Sequence, residues 1–219
     1  MKNAIILCSG GLDSVTAAYK VKDEYSKLKF LFFDYGQRAV KEEEKCCKEI
    51  AKRLEAEFIK VELKWLGEIS TAMLNKEGEV KENNEDIKNW WVPARNSVFL
   101  VNALAFAESE FLKNKEKYDV IIGIKDEGDE HMADTTPEFV KKVNELAKEG
   151  TQDGDYEVVA PLIELDKTDV IKLGKELKVP FELTYSCYIE NGPCGKCLNC
   201  VLRKNSFNLL RIEDKSYAL

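Results

Sequence analysis

The sequence predicts an α/β protein, a parallel sheet with helices on both faces, followed by a small cysteine-rich C-terminal segment. Three observations lead there. Short apolar runs alternate with longer amphipathic stretches along most of the 219 residues, the pattern of parallel strands joined by crossover helices. The first apolar run ends in Ser9-Gly10-Gly11-Leu12-Asp13-Ser14, a glycine turn where strand passes into helix. Four of the seven cysteines fall between positions 187 and 200. The length fits one α/β body, drawn here over residues 1–180, with a segment over 181–219 packed on it.

Taken in order, Ala4 to Leu7 reads as the first strand, and a helix follows from Asp13 to Tyr25. Lys29 to Phe33 is a second strand, ending at Asp34-Tyr35-Gly36-Gln37-Arg38, and a helix runs from Val40 to Leu54. Phe58 to Leu63 is a third strand. Gly67 to Asn89 is polar and irregular, which suggests a loop or lid insertion. Arg95 to Leu112 reads as a long buried helix carrying Val98, Leu100, Val101, Leu104, Ala105 and Phe106. A strand over Asp119 to Ile124 and a helix over Pro137 to Lys148, with proline in its first turn, come next. A strand over Glu157 to Ala160 and helices over Lys167 to Leu177 and Val201 to Leu210 complete the reading. Parallel sheets take ligands at the carboxyl ends of their strands. The glycine turn, Asp34 to Arg38 and the residues after Ile124 therefore converge on one crevice.

The 44% hydrophobic content suffices for a core, and the net charge is −7. An acidic chain does not attract nucleic acid over long range, which favours a small-molecule substrate over tRNA. No run approaches membrane-spanning length, and the chain opens straight into a strand, so a cytoplasmic protein without a signal peptide is expected. The oligomeric state is open, a homodimer included.

The glycines of the turn permit close backbone approach to a ligand. The N–H groups at the following helix start, with the helix dipole, favour an anion. A phosphate group is therefore expected within the first fifteen residues. The Gly-Lys-Ser/Thr ending of a Walker loop is absent. An ordinary strand-to-helix turn is the alternative, and Asp13, Ser14 and the apolar strand before them weigh against it. The segment resembles the pyrophosphate loop of the ATP pyrophosphatase superfamily, whose members split ATP between its α and β phosphates.

Cys187, Cys194, Cys197 and Cys200 are spaced by one six-residue gap and two two-residue gaps. Four thiolates in tetrahedral reach form a closed structural zinc site. An iron–sulfur cluster is the rival occupant, and zinc is preferred because nothing else here suggests redox work. A closed site has no open position for substrate, so its role is to anchor the C-terminal segment. Cys8, Cys46 and Cys47 read as structural, Cys8 filling core space beside the turn.

Further motifs extend along the chain: Phe33-Asp-Tyr-Gly-Gln-Arg38, Trp91-Val-Pro-Ala-Arg-Asn96, Pro161-Leu-Ile-Glu-Leu-Asp-Lys167 and Thr184-Tyr-Ser-Cys187 with the other three cysteines. Together with Ser9 to Ser14 they are similar to the 7-cyano-7-deazaguanine synthase family, which makes the nitrile precursor of queuosine and archaeosine. In one place the chain departs. Where the family usually shows an aromatic-Pro-Asp segment, this sequence has Met132-Ala133-Asp134.

The resemblance implies a Rossmann-like, adenine nucleotide alpha hydrolase-like fold with ATP, Mg²⁺ and Zn²⁺ as cofactors. It implies nucleotide binding by Leu7, Cys8, Ser9, Gly10, Gly11, Leu12, Asp13, Ser14, Val15, Thr16 and Ala17, with Asp13 acting through Mg²⁺ or by fixing the loop. The substrate carboxylate, on 7-carboxy-7-deazaguanine, is adenylated; ammonia displaces AMP to give the amide; adenylation of the amide oxygen then leads to the nitrile. Asp13, Arg95 and Lys167 are the expected catalytic residues, and Tyr35, Gln37, Arg38, Arg95, Asn96 and Asp134 the expected substrate contacts. For the basic residues the alternative is ordinary surface ion pairing.

Trp90, Trp91 and Tyr35 either stack on a flat ring or pack. His131, the only histidine, reads as exposed and uninvolved, and Lys41 to Lys45 as a solvated helix face. Rival functions are a tRNA thiolase, a relative that stops at the amide, a ligase acting on a protein, and a nucleotide sensor without turnover.

Overall fold

The computed structural model describes residues 2–76, 87–125, 132–152, 154–189 and 192–216. In chain order the elements are β1 (Asn3–Leu7), α1 (Leu12–Val21), β2 (Leu28–Asp34), α2 (Val40–Arg53), β3 (Glu57–Glu62) and α3 (Lys64–Ile69). They continue with α4 (Arg95–Asn114), β4 (Tyr118–Ile122), α5 (Pro137–Gly150), β5 (Val158–Val159), α6 (Lys167–Glu176) and α7 (Leu198–Leu210). The five strands form one sheet in the order β3-β2-β1-β4-β5, every pair parallel. Consecutive strands step outward from β1 to β3, and β4 then returns to the other side of β1. This reversal opens a crevice at the carboxyl ends of β1 and β4.

Side-chain alternation along each strand divides the core into two layers. Ile5 and Leu7, Leu31 and Phe33, and Val120 and Ile122 face one layer, which also takes Leu100, Leu104 and Ala107 of α4. Ala4 and Ile6, Phe30 and Phe32, and Ile121 face the other, with Val15 and Ala18 of α1, Ile50 of α2 and Val170 of α6. Both faces being covered explains why the strands are apolar runs rather than alternating ones.

The helix predicted to reach Tyr25 ends at Val21. Lys22-Asp23-Glu24 would put acidic side chains at the negative end of its dipole, and Tyr25 instead turns back, its hydroxyl donating to Asp119 (3.2 Å). The polar stretch after β3 contains the short helix α3, where a loop was expected from Gly67. Its residues 77–86 lie outside the described part. In α4 the buried face is Leu100, Ala103, Leu104 and Ala107, whereas Val101 is 50% exposed; a helix on one face of a sheet buries a stripe, not its circumference. α7 starts at Leu198, inside the cysteine segment, with Cys197 as its N-cap. No described helix is long and apolar enough to cross a membrane.

The C-terminal segment is tied down by a residue with no sequence signature. Arg203 of α7 is completely buried. Its guanidinium pairs with Asp214 (2.6 and 3.0 Å) and donates to the Thr184 and Ser186 hydroxyls (2.9 and 3.0 Å) and the Phe181 carbonyl (3.2 Å). Replacing Arg203 with methionine keeps the bulk but strands the Asp214 carboxylate. The expected cost is about 3–5 kcal/mol, measured as a drop in the urea unfolding free energy.

Candidate functional site

Three helix N-termini meet at the crevice, and each carries a charged side chain in its first turn. The first is α1. Gly10 has φ +73°, and a Cβ there would lie 2.5 Å from the main-chain oxygen of Glu43. Only glycine suits both the left-handed turn and the contact with α2. Behind it, Ser14 Oγ accepts from the Ser9 N–H (3.3 Å) and lies 3.2 Å from Ser9 Oγ, and the Gly11 N–H donates to Ser9 Oγ (3.3 Å). The loop is thus held open by its own serines, with the start of α1 exposed to the crevice. Gly123, at the end of β4, fits against the same turn; a Cβ there would meet Ser14 Cα at 2.7 Å.

The second and third are α4 and α6, whose first residues are Arg95 and Lys167. A cation is disfavoured at the positive end of a helix dipole, so both side chains are placed where an anion would relieve them. Lys167 Nζ contacts both oxygens of Asp13 (2.9 and 2.7 Å). Arg95 donates to the Tyr35 hydroxyl (3.4 Å) and its guanidinium lies 6.0 Å from the Tyr35 ring centroid. Burial opposes its charge, but the Tyr35 and Tyr188 hydroxyls and Asp134 hold its pKa above the ordinary arginine value.

Asn96 and Asp134 form one unit beside Arg95. The Asn96 N–H donates to Asp134 Oδ2 (3.4 Å) and its amide to the Asp134 carbonyl (3.1 Å). Asp134 Oδ1 is buried with no hydrogen-bond partner among the described residues, an acceptor whose capacity is unused within them. Burial raises the pKa of Asp134, with Arg95 pulling the other way.

Of the residues expected at the nucleotide, Leu7, Cys8, Ser9, Gly11, Leu12, Asp13 and Ser14 line the crevice. Gly10, Val15, Thr16 and Ala17 do not; Gly10 turns toward α2, and the other three are fully buried in α1. Tyr35, Gln37, Arg95, Asn96 and Lys167 line it too. Arg38 and Asp134 are not among the lining residues, although Met132 and Thr135 on either side of Asp134 are; the Arg38 N–H donates to the carbonyl of Leu74, itself a lining residue (2.8 Å). Trp90 is buried against Tyr188, ring centroids 4.6 Å apart, and so packs rather than presenting a stacking face. His131, with Asp129 and Glu130, lies outside the described residues.

Three lining residues carried no sequence signal. Glu43 was placed on a solvated helix face, yet it lies in the first turn of α2 and turns inward to accept from Gln37 Nε2 (2.9 Å). Burial raises its pKa to about 7, opposed by the Gln37 amide and Arg95 and helped by Glu42 and Cys187. Only the helical phase of α2, set by its apolar residues Cys47, Ile50 and Ala51, could have revealed this. Lys125 is 8% exposed at the end of β4. Tyr188 belongs to the cysteine segment, which with Tyr185, Ser186 and Leu198 walls one side of the crevice.

A second hollow, of about 490 Å³, lies at the amino-terminal ends of the strands among Lys22, Lys27 and Lys29. Those lysines are paired with Asp23, Glu116, and Glu57 and Glu110. With its charge already compensated, it does not compete with the switch-point crevice as an anion site.

The four sulfurs of Cys187, Cys194, Cys197 and Cys200 lie within 4.8 Å of one another, and the four cysteines are free thiols. The Cys194–Cys200 and Cys187–Cys197 separations are 3.9 and 4.0 Å. A tetrahedron with metal–sulfur bonds of about 2.3 Å has edges of about 3.8 Å, so the group fits a metal ion as it stands. The N–H groups of Lys196 and Cys197 donate to Cys194 Sγ (3.4 and 3.3 Å) and that of Cys194 to Cys187 Sγ (3.4 Å), bonds that favour thiolate. The Tyr185 N–H, two residues before Cys187, donates to the Gly10 carbonyl (2.9 Å). The cysteine group is thereby joined to the glycine loop.

A parallel α/β sheet with a glycine–serine loop at its switch point and a four-cysteine segment at its end defines the class. The fold is shared with NMN synthetase from Francisella tularensis (TM-score 0.52, 17% identity, covering 97% of this chain and 78% of that one). The family model described as queuosine biosynthesis protein QueC matches residues 3–211. The chain is 35% identical over 223 residues to a 7-cyano-7-deazaguanine synthase of Methanosphaera stadtmanae, covering 96% of each. It is also 35% identical to that of Campylobacter fetus, covering 98% of this chain and 96% of the relative. The chain belongs to the QueC family of 7-cyano-7-deazaguanine synthases.

Replacing Gly10 with alanine forces a Cβ into the main chain of α2 at an unfavourable φ. The expected loss is about 1–3 kcal/mol of stability, measured by thermal unfolding.

Proposed function

We propose that this chain converts 7-carboxy-7-deazaguanine and ammonia to 7-cyano-7-deazaguanine with ATP, through an adenylated carboxylate and then an adenylated amide. The observation that carries the reading is the meeting of three helix N-termini with Arg95 and Lys167 at one crevice, within a chain of this family. Both reactants are anions, and they repel each other in water. The loop N–H groups hold the phosphates, and the two cations neutralise the charge that builds on the α-phosphate as the carboxylate attacks. Lys167 exchanges Asp13 for phosphate when ATP arrives. Mg²⁺, when bound, supplies further charge neutralisation on the phosphates, with Asp13 as its protein ligand.

The unpartnered oxygen of Asp134 accepts from the N–H edge of the guanine-like ring, and Asn96 keeps the carboxylate oriented. Zinc is the ion proposed for the four cysteines, with a structural role, since all four positions are taken by sulfur. The reaction calls for no nucleic acid contact and is assigned to the cytoplasm. Met132 and Ala133 beside Asp134, in place of the family's aromatic and proline, favour one second reading: an enzyme that stops at the amide.

Mass spectrometry after incubation with ATP, Mg²⁺, ammonium and 7-carboxy-7-deazaguanine is expected to show the nitrile. The amide alone would favour the second reading, and no acid-dependent pyrophosphate release would overturn both. Asp13→Ala is expected to lower AMP formation at least about 100-fold without unfolding the chain; an unchanged AMP yield would refute the loop's role. Cys197→Ser is expected to lose the bound metal, read by atomic emission, and to lower the melting temperature.

A further inference from the structure

Forming the new C–N bond requires a proton acceptor, because ammonium has no free electron pair with which to attack. Two carboxyl groups are found among the residues lining the crevice, Asp13 and Glu43. Asp13 is engaged by Lys167 on both oxygens. Glu43 is held differently. Its Oε2 accepts from Gln37 Nε2, and Gln37 is itself fixed: its Oε1 accepts from the Tyr35 N–H (2.9 Å) and its Nε2 donates to the Phe33 carbonyl (3.0 Å). Gln37 is 3% exposed. The main chain of Glu43 touches Gly10 of the loop. The carboxyl therefore has a set position next to the site where the adenylate forms, with its other oxygen free of the Gln37 contact.

Building on the synthase reading, we propose that Glu43 is a catalytic residue that binds ammonium beside the adenylate and removes one of its protons. The proton passes to the Glu43 carboxylate, and the freed nitrogen pair forms the bond to the acyl carbon. The bond from that carbon to the phosphate oxygen breaks, its electron pair leaving with AMP. The second proton shed by nitrogen goes to the departing phosphate. Gln37 positions the carboxylate and makes no contact with the reacting atoms. A carboxyl whose burial raises its proton affinity to about 7 is suited to accept and return a proton at neutral pH. An anionic side chain not engaged by Lys167, as Asp13 is, also gives ammonium a place to dock.

The test is Glu43→Gln, which keeps the Gln37 contact and removes the base. Rates are measured in two assays on the intact protein: single-turnover pyrophosphate release with ATP and 7-carboxy-7-deazaguanine, and acyl transfer to ammonium, giving the amide, or to hydroxylamine, giving the hydroxamic acid. Hydroxylamine is largely unprotonated at neutral pH and needs no base to become a nucleophile. The expected result is a loss of about 100-fold with ammonium, a loss about tenfold smaller with hydroxylamine, and pyrophosphate release within about threefold of the parent. Equal losses with both nucleophiles, or no loss with either, would overturn the role of Glu43. Absence of pyrophosphate release from the parent protein would instead sink the synthase reading itself. Should Glu43→Gln fail to fold, Glu43→Asp is measured by the same ratio of the two nucleophiles. A shorter base is expected to retain part of the ammonium rate, and a change in that ratio to below the Glu43→Gln prediction would count against the proposal.

Discussion

Positive potential gathered at a single crevice is the constraint around which this molecule is arranged. The start of α1 points its N–H groups into the crevice, and α4 and α6 each begin there with a cation. Such an arrangement is unfavourable in isolation, since each cation sits at the wrong end of its helix. The chain offsets it locally. Asp13 compensates Lys167, and Tyr35 shields Arg95 with its ring and hydroxyl. The parallel sheet makes the arrangement possible, because every helix that follows a strand starts on the same side.

The same principle orders the wall of the crevice. Its lining is drawn from the carboxyl ends of β1, β2 and β4, the first turns of helices and the C-terminal segment folded across them. Gly123 lets β4 approach the loop, and Gly10 lets the loop approach α2. These two contacts bring the carboxylate of Glu43 and the ammonium of Lys125 to the same space as the serines of the loop. A charged group from each side of the sheet thus meets where the strand order reverses, although neither lies in a recognisable motif.

Much of this was legible in the residues. The five strands follow the apolar runs, and the glycine turn and the four cysteines announce themselves by spacing. Boundaries shifted where tertiary contacts intervened, as at Tyr25, whose bond to Asp119 joins residues far apart in sequence. Val101 was misplaced because an apolar residue on a helix says nothing by itself about which neighbour covers it. Glu43 was hidden in a charged run, Lys41 to Lys45, where only the rotation of α2 separates an inward side chain from the exposed Lys41 and Lys45. Arg203 was missed for a related reason: a buried cation is defined by partners, here Asp214, Thr184 and Ser186, that no local pattern reveals. Arg38 illustrates the opposite error. It stands within a motif yet serves through its main chain, bracing Leu74.

The hydrogen bond between Tyr185 and Gly10 gives the cysteine group a reach beyond its own neighbourhood. The carbonyl it fixes belongs to the one residue of the loop in a left-handed conformation, where a small rotation swings the adjoining peptide through a wide arc. The cysteine cluster and the loop are therefore one mechanical unit: whatever sets the spacing of the four sulfurs also sets, through Tyr185, the tilt of a single peptide plane in the turn.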